Sequence, residues 1–162
     1  MGFNATQRDI AWSQIEPEKG VFDGHVVRDT LDGAQRLGFK TSLLFSWHFS
    51  PTWLPEAWRF RDADGKPAGA GWLPACLWDP EVREHQKKVI QTVVAVAAKH
   101  PATLSYCLAN EPDMGGFQIG YCEHAVHAYH DWLKQRYGTV AALNRRWQTN
   151  LTGFDQVRPP KP

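Results

Sequence analysis

The sequence predicts an α/β protein, specifically part of an eight-fold barrel of alternating strands and helices, and three observations lead there. Strand-like and helix-like segments alternate three times; the middle strands are short, continuous apolar runs; and a carboxyl, Glu111, stands just past the last of them. Short apolar runs buried on both faces pair in parallel, joined by right-handed helical crossovers. A carboxyl at the C-terminal end of such a strand faces the loops that build the active site of a barrel.

Each element has its own signal. Phe3 to Trp12 reads as the first strand, and Glu16-Pro17-Glu18-Lys19-Gly20 as a polar turn rich in breakers. From His25 to Leu37, the residues Val26, Val27, Leu31, Ala34 and Leu37 recur at three- and four-residue steps, and Gly38 stands where a helix would end. Thr41 to Phe45 is too brief for a helix and reads as a buried strand that delivers Trp47 and His48 at its end. The stretch from Ser50 to Asp79 holds four Trp with many Pro and Gly and has no period, so it is a structured loop of the length that usually carries function. Pro80 starts the next helix at the position where its missing N–H costs nothing. Asp79 caps it, and Val82, Val89, Ile90, Val93, Val94 and Ala97 share one face. Thr103 to Leu108 is the third strand, followed by Asn110-Glu111, a Gly-rich loop, and a third helix from about Tyr121 to Tyr137 carrying Ala125, Ala128, Tyr129, Trp132 and Leu133.

The chain has 162 residues, against about 250 for a complete barrel of this kind. Three strand–helix units cannot close, and the outer strands would keep unpaired edges. Residues 1–162 are therefore expected to form one partial barrel domain with no second domain, beginning inside the barrel at Met1 and stopping near Pro159-Pro160. Exposed edges make a homo-oligomer a reasonable expectation.

Composition narrows the partners. With 18 basic and 17 acidic side chains the summed field is near neutral, so neither nucleic acid nor an acidic membrane is an expected partner. No apolar run approaches the ~20 residues that cross a bilayer, and no basic start precedes an apolar signal core, which favours the cytoplasm. Cys76, Cys107 and Cys122 lack a CxxC pair or a dense framework and read as buried free thiols. His124, His127 and His130 recur every third residue and read as a partly solvated helix face. No cofactor is called for.

Eight Trp supply flat, amphipathic surface that serves either core filling or stacking on sugar faces. Cleaving a glycosidic bond takes two carboxyls, one to protonate the leaving oxygen and one to attack the anomeric carbon or to activate water. Glu111 is the candidate for the first, and Asn110 would hydrogen-bond the sugar hydroxyl beside the reacting carbon. The alternative is that Asn-Glu-Pro simply ends a strand. Trp47 and His48 either line the sugar pocket or pack structurally, His48 on a backbone partner. Trp12 and Arg8 either reach the same pocket or, for Arg8, pair with a structural carboxylate. Trp53, Trp58, Trp72 and Trp78 either wall the pocket for further sugar units or pack the long loop onto the barrel.

These features together resemble the clan A retaining glycoside hydrolases and, within them, the family 42 beta-galactosidases. The marks are Trp12-Ser-Gln-Ile-Glu-Pro-Glu-Lys-Gly-Val-Phe-Asp23, Pro51-Thr-Trp-Leu54, Asn110-Glu111, Tyr121-Cys-Glu-His124, Trp132-Leu-Lys-Gln-Arg-Tyr-Gly138, Leu143-Asn144 and Trp147. The resemblance implies a (β/α)8 TIM barrel of which this chain holds roughly the second to fourth units, with Glu111 as acid/base and Asn110 as its partner. It implies hydrolysis of β-galactoside-like sugars with retention, the nucleophilic Glu lying on a seventh strand that this sequence does not contain. A carbohydrate is then the expected partner, and the isolated piece should lack turnover.

Some positions depart from the family. Of four cysteines that often hold zinc, Cys76 and Cys122 match, while Gly120 and Ala125 stand at the other two, so no metal is expected. Trp72-Leu73-Pro74-Ala75 replaces a stretch in which the family carries a sugar-binding Arg, and Pro112 is more usual elsewhere in the clan. Another clan A β-glycosidase, of glucosidase, mannosidase or endo-glycanase type, and a non-catalytic carbohydrate-binding remnant are the alternatives.

Overall fold

The structure, a computed structural model, describes residues 2–67, 75–110 and 120–160. Among them, three parallel strands form one sheet in the order β1 (Ala5–Ala11), β2 (Lys40–Ser46), β3 (Thr103–Cys107). The β1–β2 ladder runs in register from Ala5 opposite Lys40 to Ala11 opposite Ser46. The β2–β3 ladder shifts by one residue after Thr41, so that Ser42 faces Ser105 and Leu44 faces Cys107. β1 and β2 end together at Ala11 and Ser46, β3 ends level with Leu44, and the three C-terminal ends form one mouth.

Helices cover one face of the sheet. α1 (Trp12–Ile15) is a single turn following β1 directly; α2 (His25–Arg36) crosses from β1 to β2, and α3 (Pro80–Ala97) from β2 to β3. Ile10 from β1 and Leu43 and Phe45 from β2 meet Val27, Leu31 and Ala34 of α2 and Val82, Val89, Val93 and Ala97 of α3 in one core. Alternation along β2 thus sends Leu43 and Phe45 to the helices and turns Ser42, Leu44 and Ser46 to the opposite face. Burying one such large aliphatic or aromatic side chain contributes about 1.5–3 kcal/mol. Gly24 lets the two helices approach, since a Cβ there would lie 2.7 Å from Val96 Cγ2.

The ends of the helices follow from local chemistry. Asp79 Oδ1 accepts the backbone N–H groups of Glu81 and Val82 at the start of α3, with Pro80 in the first turn, as the sequence predicts. Asp23 accepts the backbone N–H of His25 at the start of α2 and meets the His25 ring, and these two hydrogen bonds hold its carboxyl below the usual range. Gly38, just past α2, takes φ 73°, a conformation costly for any residue with a Cβ.

Four expectations are corrected. Leu37 is exposed, because it lies past the end of α2 beside the edge of β1 and nothing among the described residues covers it. α4 (Glu123–Tyr137) buries Ala125, Val126, His130 and Leu133 and leaves Trp132 about half exposed. Its inward face is set by α5 (Val140–Trp147) and the following segment: Leu133 packs with Leu143 and Val157, and the His130 ring donates to Val157 O at 2.7 Å. The partly solvated face expected of the three histidines holds for His124 and His127, which are exposed, with His124 3.4 Å from Asp79, but not for His130, which is buried. Finally, Cys76 and Cys122 are joined as a disulfide, leaving only Cys107 as a free, partly buried thiol.

Candidate active site

The mouth of the sheet is built from the residues that follow each strand. After β1, Trp12 turns into the core at 1% exposure, and its indole N–H donates to Glu16 Oε2 at 2.8 Å. Glu16 is itself fully buried. Its Oε1 accepts the Gly20 backbone N–H at 2.8 Å and the His85 Nδ1–H at 2.6 Å, and its backbone carbonyl accepts the Trp53 indole N–H at 2.9 Å. A buried carboxylate is tolerated only when its lone pairs are met in this way. The long loop is thereby fastened to α1 and α3 at one atom cluster, with Trp53 and Trp58 both in ring contact with His85.

After β2, Trp47 stacks on Phe45 with ring centroids 5.4 Å apart and planes 7° apart, and meets the edge of Trp12 at 6.4 Å. Its indole N–H donates to the Leu108 carbonyl at 2.8 Å. His48 is partly buried and lies against Phe49, with ring centroids 4.2 Å apart. After β3, Leu108 and Asn110 are exposed, and Asn110 is three residues beyond the last strand residue. Glu111, the expected proton donor, lies outside the described residues, as does Trp72.

The strand ends therefore bring Trp12, Trp47 and the approach to Asn110 together. Arg8 is not among them: it sits in the middle of β1 opposite Leu43 and lines a cleft with Asp29, Thr30 and Leu37 on the α2 side. Trp12 has no free surface for a sugar, because its ring is enclosed by Trp47 and Trp53 and its N–H is taken by Glu16. Trp47 shares the face of Phe45, with one ring side stacked and its N–H bonded. Sequence reasoning also missed the Glu16–His85 pair. The signal for half of it was present, since Trp12 and Glu16 are four apart and share a helical face, but His85 is 69 residues away and only the fold brings it in.

On the far side of the mouth, the Cys76–Cys122 disulfide packs with Phe60 and Ala125, tying the long loop to the start of α4. A four-thiolate zinc does not fit these residues. The two sulfurs are bonded to each other, and Gly120 and Ala125 offer no donor side chain.

A family model described as Beta-galactosidase, glycoside hydrolase family 42, matches residues 1–162. The chain belongs to that family. Among its relatives, beta-galactosidase BgaH of Haloferax lucentense is 29% identical over 164 residues, covering 95% of this chain and 25% of the relative. Beta-galactosidase GanA of Bacillus subtilis is 28% identical over 163 residues, covering 94% of this chain and 24% of the relative. Among solved structures, the beta-galactosidase of Rahnella sp. R3 superposes with a TM-score of 0.82 at 27% identity, over 98% of this chain and 24% of that one. The chain thus spans about a quarter of the length of the relatives it matches, and its parallel strands with covering helices are part of a family 42 barrel.

Proposed function

We propose that a full-length protein carrying this chain hydrolyses β-galactosides with retention of configuration, and that Glu111 is its acid/base. The observation that carries this reading is the match of the whole chain to the family, combined with Asn110-Glu111 coming shortly after β3 in the sequence, Asn110 three residues past its last residue. In the first half of the reaction, Glu111 gives its proton to the glycosidic oxygen while a second carboxylate attacks the anomeric carbon; in the second half, Glu111 takes a proton from water. Asn110 holds the neighbouring sugar hydroxyl, a hydrogen bond that strengthens as positive charge develops on the ring.

The second carboxylate is supplied from outside these 162 residues. Several carboxylates in the described residues after β1 and β2 are already engaged: Glu16 with Trp12, Gly20 and His85, Asp23 with His25, Asp62 with the Asp64 and Lys66 backbone, and Asp79 with the start of α3, while Glu56 lies 3.3 Å from Arg61 in the long loop. Retention needs the two catalytic carboxyls about 5–5.5 Å apart across the scissile bond. The test is hydrolysis of aryl β-galactosides by a chain extended to the length of its relatives. Glu111→Gln is expected to lower kcat/KM on phenyl β-galactoside by at least about 100-fold, the range of general acid catalysis. Full activity in that variant would reject the assignment.

A further inference from the structure

Beyond β3 the chain runs through Leu108 toward Asn110, and a side chain from the end of the neighbouring strand holds it there. The ladder between β2 and β3 has Leu44 opposite Cys107 as its last pair, so the chain leaves the sheet before it reaches the two functional residues. The next carbonyl, that of Leu108, accepts the indole N–H of Trp47 at 2.8 Å. This side-chain bond extends the connection between the two strands one step beyond the backbone ladder. Leu108 is otherwise 67% exposed and stands three residues before Glu111.

Trp47 is held from two sides. Phe45 stacks under its ring, and the edge of Trp12 meets it. Trp12 is fixed in turn by Glu16, which His85 and the Gly20 N–H hold in place. A donor with so little freedom defines where its acceptor sits, because the hydrogen bond weakens steeply as its angle departs from linear. From this geometry we propose that Trp47 is a positioning residue for the proton donor: its indole N–H fixes the Leu108 carbonyl, and with it the segment through Asn110 that leads to the acid/base. This deepens, and rests on, the assignment of Glu111 as acid/base.

The sensitivity of the reaction to such a contact is large. A proton donor acts only within hydrogen-bond reach of the leaving oxygen, and a misplacement of about 1 Å can lower a rate on the order of 100-fold. Removing the N–H leaves an exposed carbonyl that water can satisfy, so the effect falls on geometry more than on stability.

The test uses the full-length protein and two substrates that differ only in their need for a proton. Phenyl β-galactoside has a poor leaving group and requires the acid, whereas the 2,4-dinitrophenyl compound departs without one; kcat/KM reports the bond-breaking half for both. Trp47→Phe keeps a ring against Phe45 and Trp12 but lacks the N–H. It is expected to lower kcat/KM for the phenyl substrate about tenfold or more, while the dinitrophenyl value stays within about twofold. Trp47→Tyr also lacks a donor at that point and should give the same selectivity. The ratio of the two substrates is read in one preparation, so loss of folded protein cancels from it.

Equal losses on both substrates, or no loss on either, would overturn the role of Trp47. Glu111→Gln run alongside separates the two levels. Selectivity in Glu111→Gln without selectivity at Trp47 rejects only the positioning role, whereas absence of selectivity in Glu111→Gln rejects the acid assignment and the role of Trp47 with it.

Discussion

Glu16 is a buried carboxylate that ties β1's end, the long loop and α3 together. A carboxylate with no exposed surface is costly, and here it is met by the Trp12 indole, the Gly20 backbone and the His85 ring. Glu16→Ala would leave the buried Trp12 indole and the partly buried His85 ring without their acceptor, while the Gly20 N–H can turn to water. The expected loss is at least about 2 kcal/mol, since each buried donor left without a partner costs about 1–3 kcal/mol. Urea denaturation of the full-length protein measures it, and a loss under about 1 kcal/mol would mean that water replaces the carboxylate. Residue identity in the sequence told little of this. Glu16 lies in a turn of breakers, where an acidic residue is ordinary, and its partner comes from α3. The same holds for Trp12 and Trp47, whose ring type suggested sugar stacking but whose N–H groups are taken by Glu16 and Leu108.

At the scale of elements, the sequence was most legible where a period ran long. α2 and α3 lie within a residue of their expected limits, because a dozen or more residues with one apolar face admit only one reading. Asp79 at the start of α3 caps as expected. Asp79→Ala should cost about 1 kcal/mol through loss of its two backbone acceptor bonds, and an unchanged thermal midpoint would count against the cap. α5, of eight residues, went unread: it is too short for periodicity, although Gly138 at φ 70° and Thr139, whose hydroxyl accepts the Ala142 N–H, mark its start. The face of α4 was misjudged for a related reason. Tyr129 and Trp132 fit the apolar stripe, yet Leu143 and Val157 arrive from later in the chain and draw Leu133 and His130 inward.

For the molecule as a whole, the three-stranded sheet is one sector of a barrel. β3 leaves Leu104 and Tyr106 exposed, and β1 is exposed from Ala5 to Asp9, as expected of strands that have a neighbour on one side only among the described residues. The Cys76–Cys122 disulfide closes a separation of 46 residues and ties the loop after β2 to α4. Cys76→Ser in the full-length protein is expected to cost about 2–4 kcal/mol under oxidising conditions. Adding a reductant should bring the parent protein to the same urea midpoint as the variant; a midpoint insensitive to both would show that the sulfurs are not joined in solution.

By itself, the sequence determined the strand–helix alternation, the parallel sheet, the partial barrel and the position of Asn110 after the third strand. Those follow from local periods, breakers and caps, which act over a few residues and are written in neighbouring positions. Only the tertiary structure decided that Glu16 is buried against His85, that Cys76 reaches Cys122, and that Trp47 spends its N–H on Leu108. Each of those joins residues 46 to 69 positions apart. Side-chain chemistry states what a residue can bond, and the path of the chain between two such residues settles whether they meet.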